Sequence, residues 1–540
     1  MAVTRTYAFQ NLQNFLISAA GAPTPNLVGL DLTSLADGGA GSAGLDGNHI
    51  DFNLHEGPEL AGEDYGLNVT GVDVAIDQLA DGDLVLATAT AAGEIYYSIA
   101  DQDGALSANS VSLGAGVLAP DVAALADGGF VVVGQRIWGG TDKDIYVYLR
   151  NHDGSERKQV FATDGSVSDD RNASVCALTD GGFAVAWHRD DGAGNTEIRF
   201  GVYEANGDER SAPRILDTTG SINRNVSAVA LPAGGFALVY EENDHPSFER
   251  ELTFVKLNST GLSTTYTRLA VETDGSSAAL SPYATMMSNG LVAVTYTYLS
   301  PGGPSEQIAV QLVDPSTLAV LSGMQIISDA GAAEEAASSA AGYGEAQLLV
   351  GWTRPSEGDA ATMRLVRTTT GDNTANTLNG DEAIDIMFGA GGTDNLRGFE
   401  GNDVLDGDAG ADLIYGGRGF DILTGGGGGD TLTGNQGKDN YRYLSIFDSQ
   451  TGAVDIIYGL AGKDRIVLAD IDANTNKSGD QRFQLVDAFD GHAGEIVVTY
   501  HETGIYGGGT TIELEVTGDF VVDALIVIEG DHEDFTHFVL

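Results

Sequence analysis

Aspartates recur every nine residues at Asp394, Asp403, Asp412, Asp421, Asp430 and Asp439. Each is the sixth residue of a unit that begins with glycine, at Gly389, Gly398, Gly407, Gly416, Gly425 and Gly434. A second glycine holds the fourth place of every unit, and an apolar residue holds the eighth, from Leu396 to Tyr441. Two weaker units precede these, one with Asp385 and Met387, the other with Asn376 and Leu378. Carboxylates are hard oxygen ligands, and Ca²⁺ takes about six to eight oxygens in flexible geometry. Glycine permits the tight turns that aim backbone carbonyls at one centre. The expected ligand set is the side chains of Asp385, Asp394, Asp403, Asp412, Asp421, Asp430 and Asp439. Backbone oxygens join them at Gly389, Gly391, Gly398, Glu400, Gly407, Ala409, Gly416, Arg418, Gly425 and Gly427. Asp406 lies outside these places and is expected to be an exposed acid.

Such a repeat needs an element that stacks identical turns. Two nine-residue units make one coil of a parallel β-roll, with the eighth residues stacked into a narrow core. Stacking also brings the aspartates together. Without cations they repel, and a thin core cannot offset that. With Ca²⁺ they become ligands, and binding energy becomes folding energy. Affinities of extracellular calcium modules, about 10⁻⁴–10⁻³ M, would leave the roll unfolded in a calcium-poor cytoplasm.

The pattern resembles the G-G-x-G-x-D-x-U-x repeat of RTX (hemolysin-type) proteins. Residues 443–540 resemble the domain that follows the roll in serralysin-type secreted proteins. The likeness rests on Asp455-Ile456-Ile457, Gly462-Lys463-Asp464-Arg465-Ile466-Val467-Leu468, Asp470-Ile471-Asp472-Ala473-Asn474, Gly479-Asp480-Gln481-Arg482-Phe483 and Phe489-Asp490-Gly491-His492-Ala493-Gly494-Glu495-Ile496. The end, Asp534-Phe535-Thr536-His537-Phe538-Val539-Leu540, is similar to that family's uncleaved type I secretion signal. The resemblance implies Ca²⁺ as cofactor, type I secretion machinery as partner, and a secreted or cell-surface location. It predicts that removing about the last fifty residues leaves the propeller and the roll intact but traps the protein in the cell. It does not bring the protease, because H-E-x-x-H is absent; His532-Glu533-Asp534-Phe535-Thr536-His537 has one residue too many.

A longer repeat fills residues 20–370. Ala124-Leu125-Ala126-Asp127-Gly128-Gly129-Phe130 returns as Ala177-Leu178-Thr179-Asp180-Gly181-Gly182-Phe183 and, altered, at Ala233-Gly234-Gly235-Phe236. Weaker copies stand at Asp37, Asp81, Asn289 and Glu345. An apolar strand, a glycine hairpin, an alternating strand, a polar loop and two further strands describe a propeller blade. The fold class is therefore all-β: a six- or seven-bladed β-propeller, then a parallel β-roll with a β-rich cap. The expected domains are 1–370, 371–442 and 443–540. A β-sandwich array is the rival for the first. The last blade lacks a fourth strand, which residues 3–9 could supply.

The net charge of −52, from 26 basic and 78 acidic residues, disfavours nucleic acid and anionic lipid. No apolar run is long enough for a transmembrane helix, and Met1–Ile17 does not read as a cleaved signal. The single cysteine, Cys176, sits in an alternating run and is expected to be buried and inert. No G-x-S-x-G elbow or phosphate loop is present. His188 with Asp190 and Asp191, and His245 with Glu241, Glu242 and Asp244, are expected to be solvated loop residues. Trp138, in an equivalent loop, could stack on a sugar. No catalytic set emerges. The propeller reads as an extracellular binding or structural platform for a glycan or protein. The alternative is a hydrolase or lyase acting on extracellular polymer.

Overall fold

The computed structural model describes residues 30–539 apart from 35–39, 47–48, 56–63, 68–72, 91–92, 102–105, 116, 139–141, 164–167, 191–195, 217–222, 243–250, 262, 270–277, 300–305, 322–324, 328–335, 344–346, 355–358, 382–383, 469–470, 475–476, 478–480 and 533. All of its regular elements are strands. Two compact units divide at residues 365 and 366.

The first unit is a seven-bladed propeller. Six blades are four-stranded antiparallel sheets in chain order. The seventh contributes Ala336–Tyr343, Gln347–Arg354 and the start of Asp359–Thr370. The strand expected from residues 3–9 lies outside the described residues. The first strand of every blade is innermost: Leu30–Ser34, Asp73–Gln78, Val117–Ala124, Asp170–Ala177, Arg224–Ala230, Ala278–Met286 and Ala336–Tyr343. Each touches the next, and the last touches the first, so the ring is closed. One hydrogen bond recurs around it. Asp121 Oδ2 accepts Val175 N–H at 2.8 Å, Ser174 Oγ accepts Ala228 N–H at 3.1 Å, and Ser227 Oγ accepts Ala284 N–H at 3.0 Å. Ser339 Oγ accepts Leu32 N–H at 3.0 Å and fastens blade seven to blade one.

The repeated glycine pair has two separate reasons. Gly181 has φ +92°, which the hairpin requires. At Gly182 a Cβ would lie 2.4 Å from the Tyr203 carbonyl oxygen, so only glycine lets the turn close on the third strand. Phe183–Asp190 then runs between sheets with Phe183 and Trp187 fully buried. Cys176 is buried as expected, and burial pushes its thiol up to about 12.

The second unit is the roll. Strands pair in parallel at a step of eighteen residues, as in Leu396↔Ile414↔Leu432 and Val404↔Ile422. The eighth-place residues from Met387 to Tyr441 are all fully buried in one column. The coil does not stop where the nine-residue motif fades. Its step lengthens to twenty-five residues, Thr431↔Ile456 and Asn440↔Arg465, and then continues. Ala524–Glu529 and Phe538–Val539 extend the same two sheets, and Ile496, Ile512, Ile526 and Phe535 share the core. This corrects the expectation that the last fifty residues are dispensable for the roll: they cap its apolar column.

The propeller's most buried ion pair yields a test. Asp170 accepts from Arg189 Nε at 2.7 Å, Arg189 Nη2 at 2.8 Å and Trp187 Nε1 at 2.8 Å. Removing one partner of such a pair costs about 3–5 kcal/mol. Asp170→Ala should lower propeller stability by that amount. Trp138, Trp187 and Trp352 all lie in this unit, so tryptophan fluorescence during denaturation reads it alone. A loss below about 1 kcal/mol would remove this pair from the account of the fold.

Candidate metal centre

The repeat aspartates form two columns, one along each edge of the roll. Each side chain is buried, none more than 3% exposed. Their two oxygens have different surroundings. Oδ1 accepts the backbone N–H eighteen residues earlier: Asp403 from Asp385 at 2.9 Å, Asp412 from Asp394 at 2.7 Å, Asp421 from Asp403 at 2.9 Å and Asp430 from Asp412 at 2.7 Å. Oδ2 has no hydrogen-bond partner in Asp394, Asp403, Asp412, Asp421, Asp430 or Asp439. One oxygen stitches coils together while the other faces into the turn.

What Oδ2 faces is another oxygen. The position a Cβ would take on Gly398 lies 2.1 Å from Asp403 Oδ2 and 2.6 Å from Gly416 O. On Gly407 it lies 2.4 Å from Asp412 Oδ2 and 2.7 Å from Gly425 O. Gly389 repeats this with Asp394 Oδ2 at 2.7 Å and Gly407 O at 2.6 Å. First-place glycines therefore leave room where a carboxylate oxygen and a carbonyl converge. Such a donor set, hard, anionic and short of hydrogens, fits Ca²⁺.

The other expected ligands are the third-place residues and Asp385. Third-place carbonyls also face the neighbouring coil: Arg418 O accepts Gly401 N–H at 3.0 Å and Gly427 O accepts Gly410 N–H at 2.9 Å. Gly391 and Ala409 pair in adjacent coils, as do Glu400 and Arg418. Asp385 differs, because Arg367 Nε donates to its Oδ1 at 2.6 Å and Asp381 N–H to its Oδ2 at 2.9 Å. An arginine thus holds this first aspartate of the column.

Sequence reasoning missed Asp455 and Asp464 as members of the columns. Asp455 Oδ1 accepts Asp430 N–H at 2.8 Å and Asp464 Oδ1 accepts Asp439 N–H at 3.0 Å. Asp455 Oδ2 is buried without a partner. The signal was present, since both precede an apolar residue by two and stand nine apart; seven inserted residues hid the register.

Electrostatics in the columns follows from burial. Asp403 and Asp455 are pushed up to about 9, Asp421 and Asp430 to about 7, and Asp412 and Asp439 to about 6. Desolvation is the main cause, and neighbouring aspartates add to it. Asp406 is not the exposed acid expected. It is half-buried, and burial with Asp408 beside it raises it to about 7.

In the propeller, a cavity of about 350 Å³ lies among the innermost strands, with Asp73, Asp121, Asn172, Asn225, Ser281 and Tyr283 in its lining. Ala119, Asn172, Asn225 and Ser281 hold equivalent left-handed positions at bulges. Burial raises Asp73 and Asp121 to about 6. His188 is not a loop residue: it lies in Phe183–Asp190, is buried, and is driven down to about 4 by burial and by Arg171 and Arg224. Glu241 and Glu242 are also buried strand residues. Trp138 ends a strand, while Asp191, Asp244 and His245 lie outside the described residues.

Residues 370–540 match the family described as Peptidase M10 serralysin C terminal. No curated protein matches the chain. Similar solved structures include a protein of unknown function from Dyadobacter fermentans, 9% identical, covering 66% of this chain and 98% of its own, with TM-score 0.42. An α-L-arabinofuranosidase from Fusarium graminearum is 14% identical, covering 54% and 92%, with TM-score 0.40. An α-L-arabinanase from Penicillium chrysogenum is 14% identical with the same coverages and TM-score 0.36. Among the described residues no helix is long and apolar enough to cross a membrane.

The raised carboxyls set a pH dependence. A carboxyl whose pKa is higher folded than unfolded binds more protons in the folded state, so stability falls as pH rises between the two values. The unfolded value is about 3.9. In calcium-free buffer the roll should lose protection steadily from about pH 5 to pH 9. Hydrogen exchange of peptides within 384–442, corrected for intrinsic rates, measures this. Protection that increases with pH in the absence of calcium would contradict it.

Proposed function

We propose that the protein is an exported calcium-binding protein of RTX type, in which Ca²⁺ switches on the fold of the roll and the propeller serves as an extracellular binding or structural platform. The observation that carries the calcium reading is the column of buried Oδ2 atoms without partners, set against first-place carbonyls. Burying an ionised carboxylate without a partner is strongly unfavourable, so the folded roll at neutral pH calls for a cation. The expected ligands are Asp394, Asp403, Asp412, Asp421, Asp430 and Asp439 with first-place and third-place carbonyls; Asp455 joins them by the same criterion. Asp385, already paired with Arg367, closes the column at its start.

Export rests on the family match over 370–540. The exporting signal is assigned to the terminal residues 534–540. The acidic surface suits a calcium-rich medium, with a net charge of −52. For the propeller, platform is favoured over hydrolase because the carboxylates that reach its cavity are engaged. Asp121 Oδ2 is the blade-to-blade acceptor, and Asp73 Oδ1 accepts Val74 N–H at 3.0 Å.

Asp412 separates the two duties of a column residue. Asp412→Asn keeps an oxygen for the Asp394 N–H and removes the charge. In calcium-free buffer at pH 8 it should raise exchange protection of the roll, and the calcium concentration at half-protection should move up by about tenfold or more. Asp412→Ala loses the hydrogen bond as well and should weaken protection under both conditions. Midpoints equal to wild type in both variants would show that these carboxylates are not ligands. In a host with a type I exporter, deletion of residues 534–540 should leave the protein inside the cell; normal secretion of that variant would remove the assignment of the signal.

A further inference from the structure

The two turn edges of the roll differ in a way calcium binding does not explain. Second and third places along one edge are Ala390, Gly391, Asp408, Ala409, Gly426 and Gly427, with no side chain larger than aspartate. Along the other they are Phe399, Glu400, Gly417, Arg418, Asn435 and Gln436. Every second place takes positive φ, which suits glycine. Phe399 holds φ +75° and leaves its ring 48% exposed. A bulky side chain in the left-handed region is an outlier, and an exposed aromatic returns little stability for that strain. Backbone strain of this kind clusters at functional positions.

A groove of about 550 Å³ lies at this point. Gly416 and Gly417 belong to its lining, with Phe399, Tyr415, Arg397 and Arg418 around them. Its parts are held by register: Arg397 pairs with Tyr415, Phe399 with Gly417, and Glu400 with Arg418. The Arg397 guanidinium stacks 5.8 Å from the Tyr415 ring centre. Arg418 Nη1 donates to Glu400 Oε1 at 2.9 Å, which fixes a donor and an acceptor side by side. Asn435 and Gln436 add amide donors and acceptors.

We propose that this groove is a binding site for a neutral polysaccharide. Aromatic faces offer an apolar platform for a sugar ring, and mixed donors and acceptors match a row of hydroxyls. Three coils contribute to the groove, each spaced by about 4.8 Å, so it presents a short repeating track to an extended chain. Polyanions are disfavoured by the charge of −52. The site rests on the proposed calcium-dependent folding, since its rows exist only when the coils are stacked.

Affinity electrophoresis of the full chain tests it, in native gels containing laminarin, galactomannan, dextran or, for comparison, polygalacturonate, with calcium or with chelator. Two variants borrow a residue that another coil uses in the same row: Phe399→Asn after Asn435, two coils on, and Tyr415→Thr after Thr433 in the next coil. At least one neutral polysaccharide should retard the wild type in calcium, and each variant should weaken that retardation about tenfold or more. Exchange protection of the roll, read on the same samples, should keep its calcium midpoint within about twofold in Phe399→Asn. Retardation by polygalacturonate alone, retardation by none, or equal retardation of wild type and variants would overturn the proposal while leaving the calcium reading intact. A large shift of the calcium midpoint in Phe399→Asn would show that the ring is structural, and would also overturn it. A roll unprotected in calcium would overturn both readings.

Discussion

A buried carboxylate with one oxygen satisfied and the other not is the constraint on which the roll depends. Oδ1 reaches the N–H of the preceding coil, which holds the strands in parallel register across steps of eighteen and of twenty-five residues. Oδ2 must then sit over the first residue of its own unit, which forces glycine there. The buried charge is met by Arg367 at the first coil; along the rest a proton, or the proposed cation, would neutralise it. Turn geometry and glycine content are two consequences of that one placement, and the proposed calcium dependence would be a third.

The propeller solves the same problem internally. Asp170 is as buried as Asp412, yet Arg189 and Trp187 hold both its oxygens. Its ring is fastened by Ser174, Ser227 and Ser339, each meeting one backbone N–H, and by Asp121, a carboxyl raised to about 6 by burial. The ion pair and the seryl acceptors are closed within their unit, whereas the aspartate columns of the roll leave Oδ2 after Oδ2 without a hydrogen-bond partner.

The sequence made some of this legible and hid the rest for identifiable reasons. Strict spacing exposed the aspartates from Asp394 to Asp439, because no insertion interrupts those coils. Asp455 and Asp464 were hidden, since an insertion that loops out between coils leaves the ladder intact but destroys the count. Asp-Gly-Gly marked the blades, because close approach at Gly182 tolerates no side chain. His188 was misplaced because a polar run near a strand end looks like a loop; its burial and the charges of Arg171 and Arg224 near it depend on tertiary packing, which no local pattern reveals. The role of the last fifty residues was lost because their contribution is packing between distant strands, as Ile526 and Phe535 complete a column begun at Met387.

Sharing of coils has a thermodynamic consequence. Each ion bound only by the folded state contributes RT ln(1 + [L]/Kd), about 1.4 kcal/mol for every tenfold excess over Kd. Neighbouring sites in the roll are not independent, because Asp412 at once offers Oδ2 to its own turn and stitches its coil to Asp394. Ordering one turn therefore sets the geometry of the next, and the ordering entropy is met once for the stack. If the proposed ions bind, several modest affinities would act as one steep transition. A narrow core with buried like charges would then be the feature that lets calcium concentration decide when this part of the chain folds.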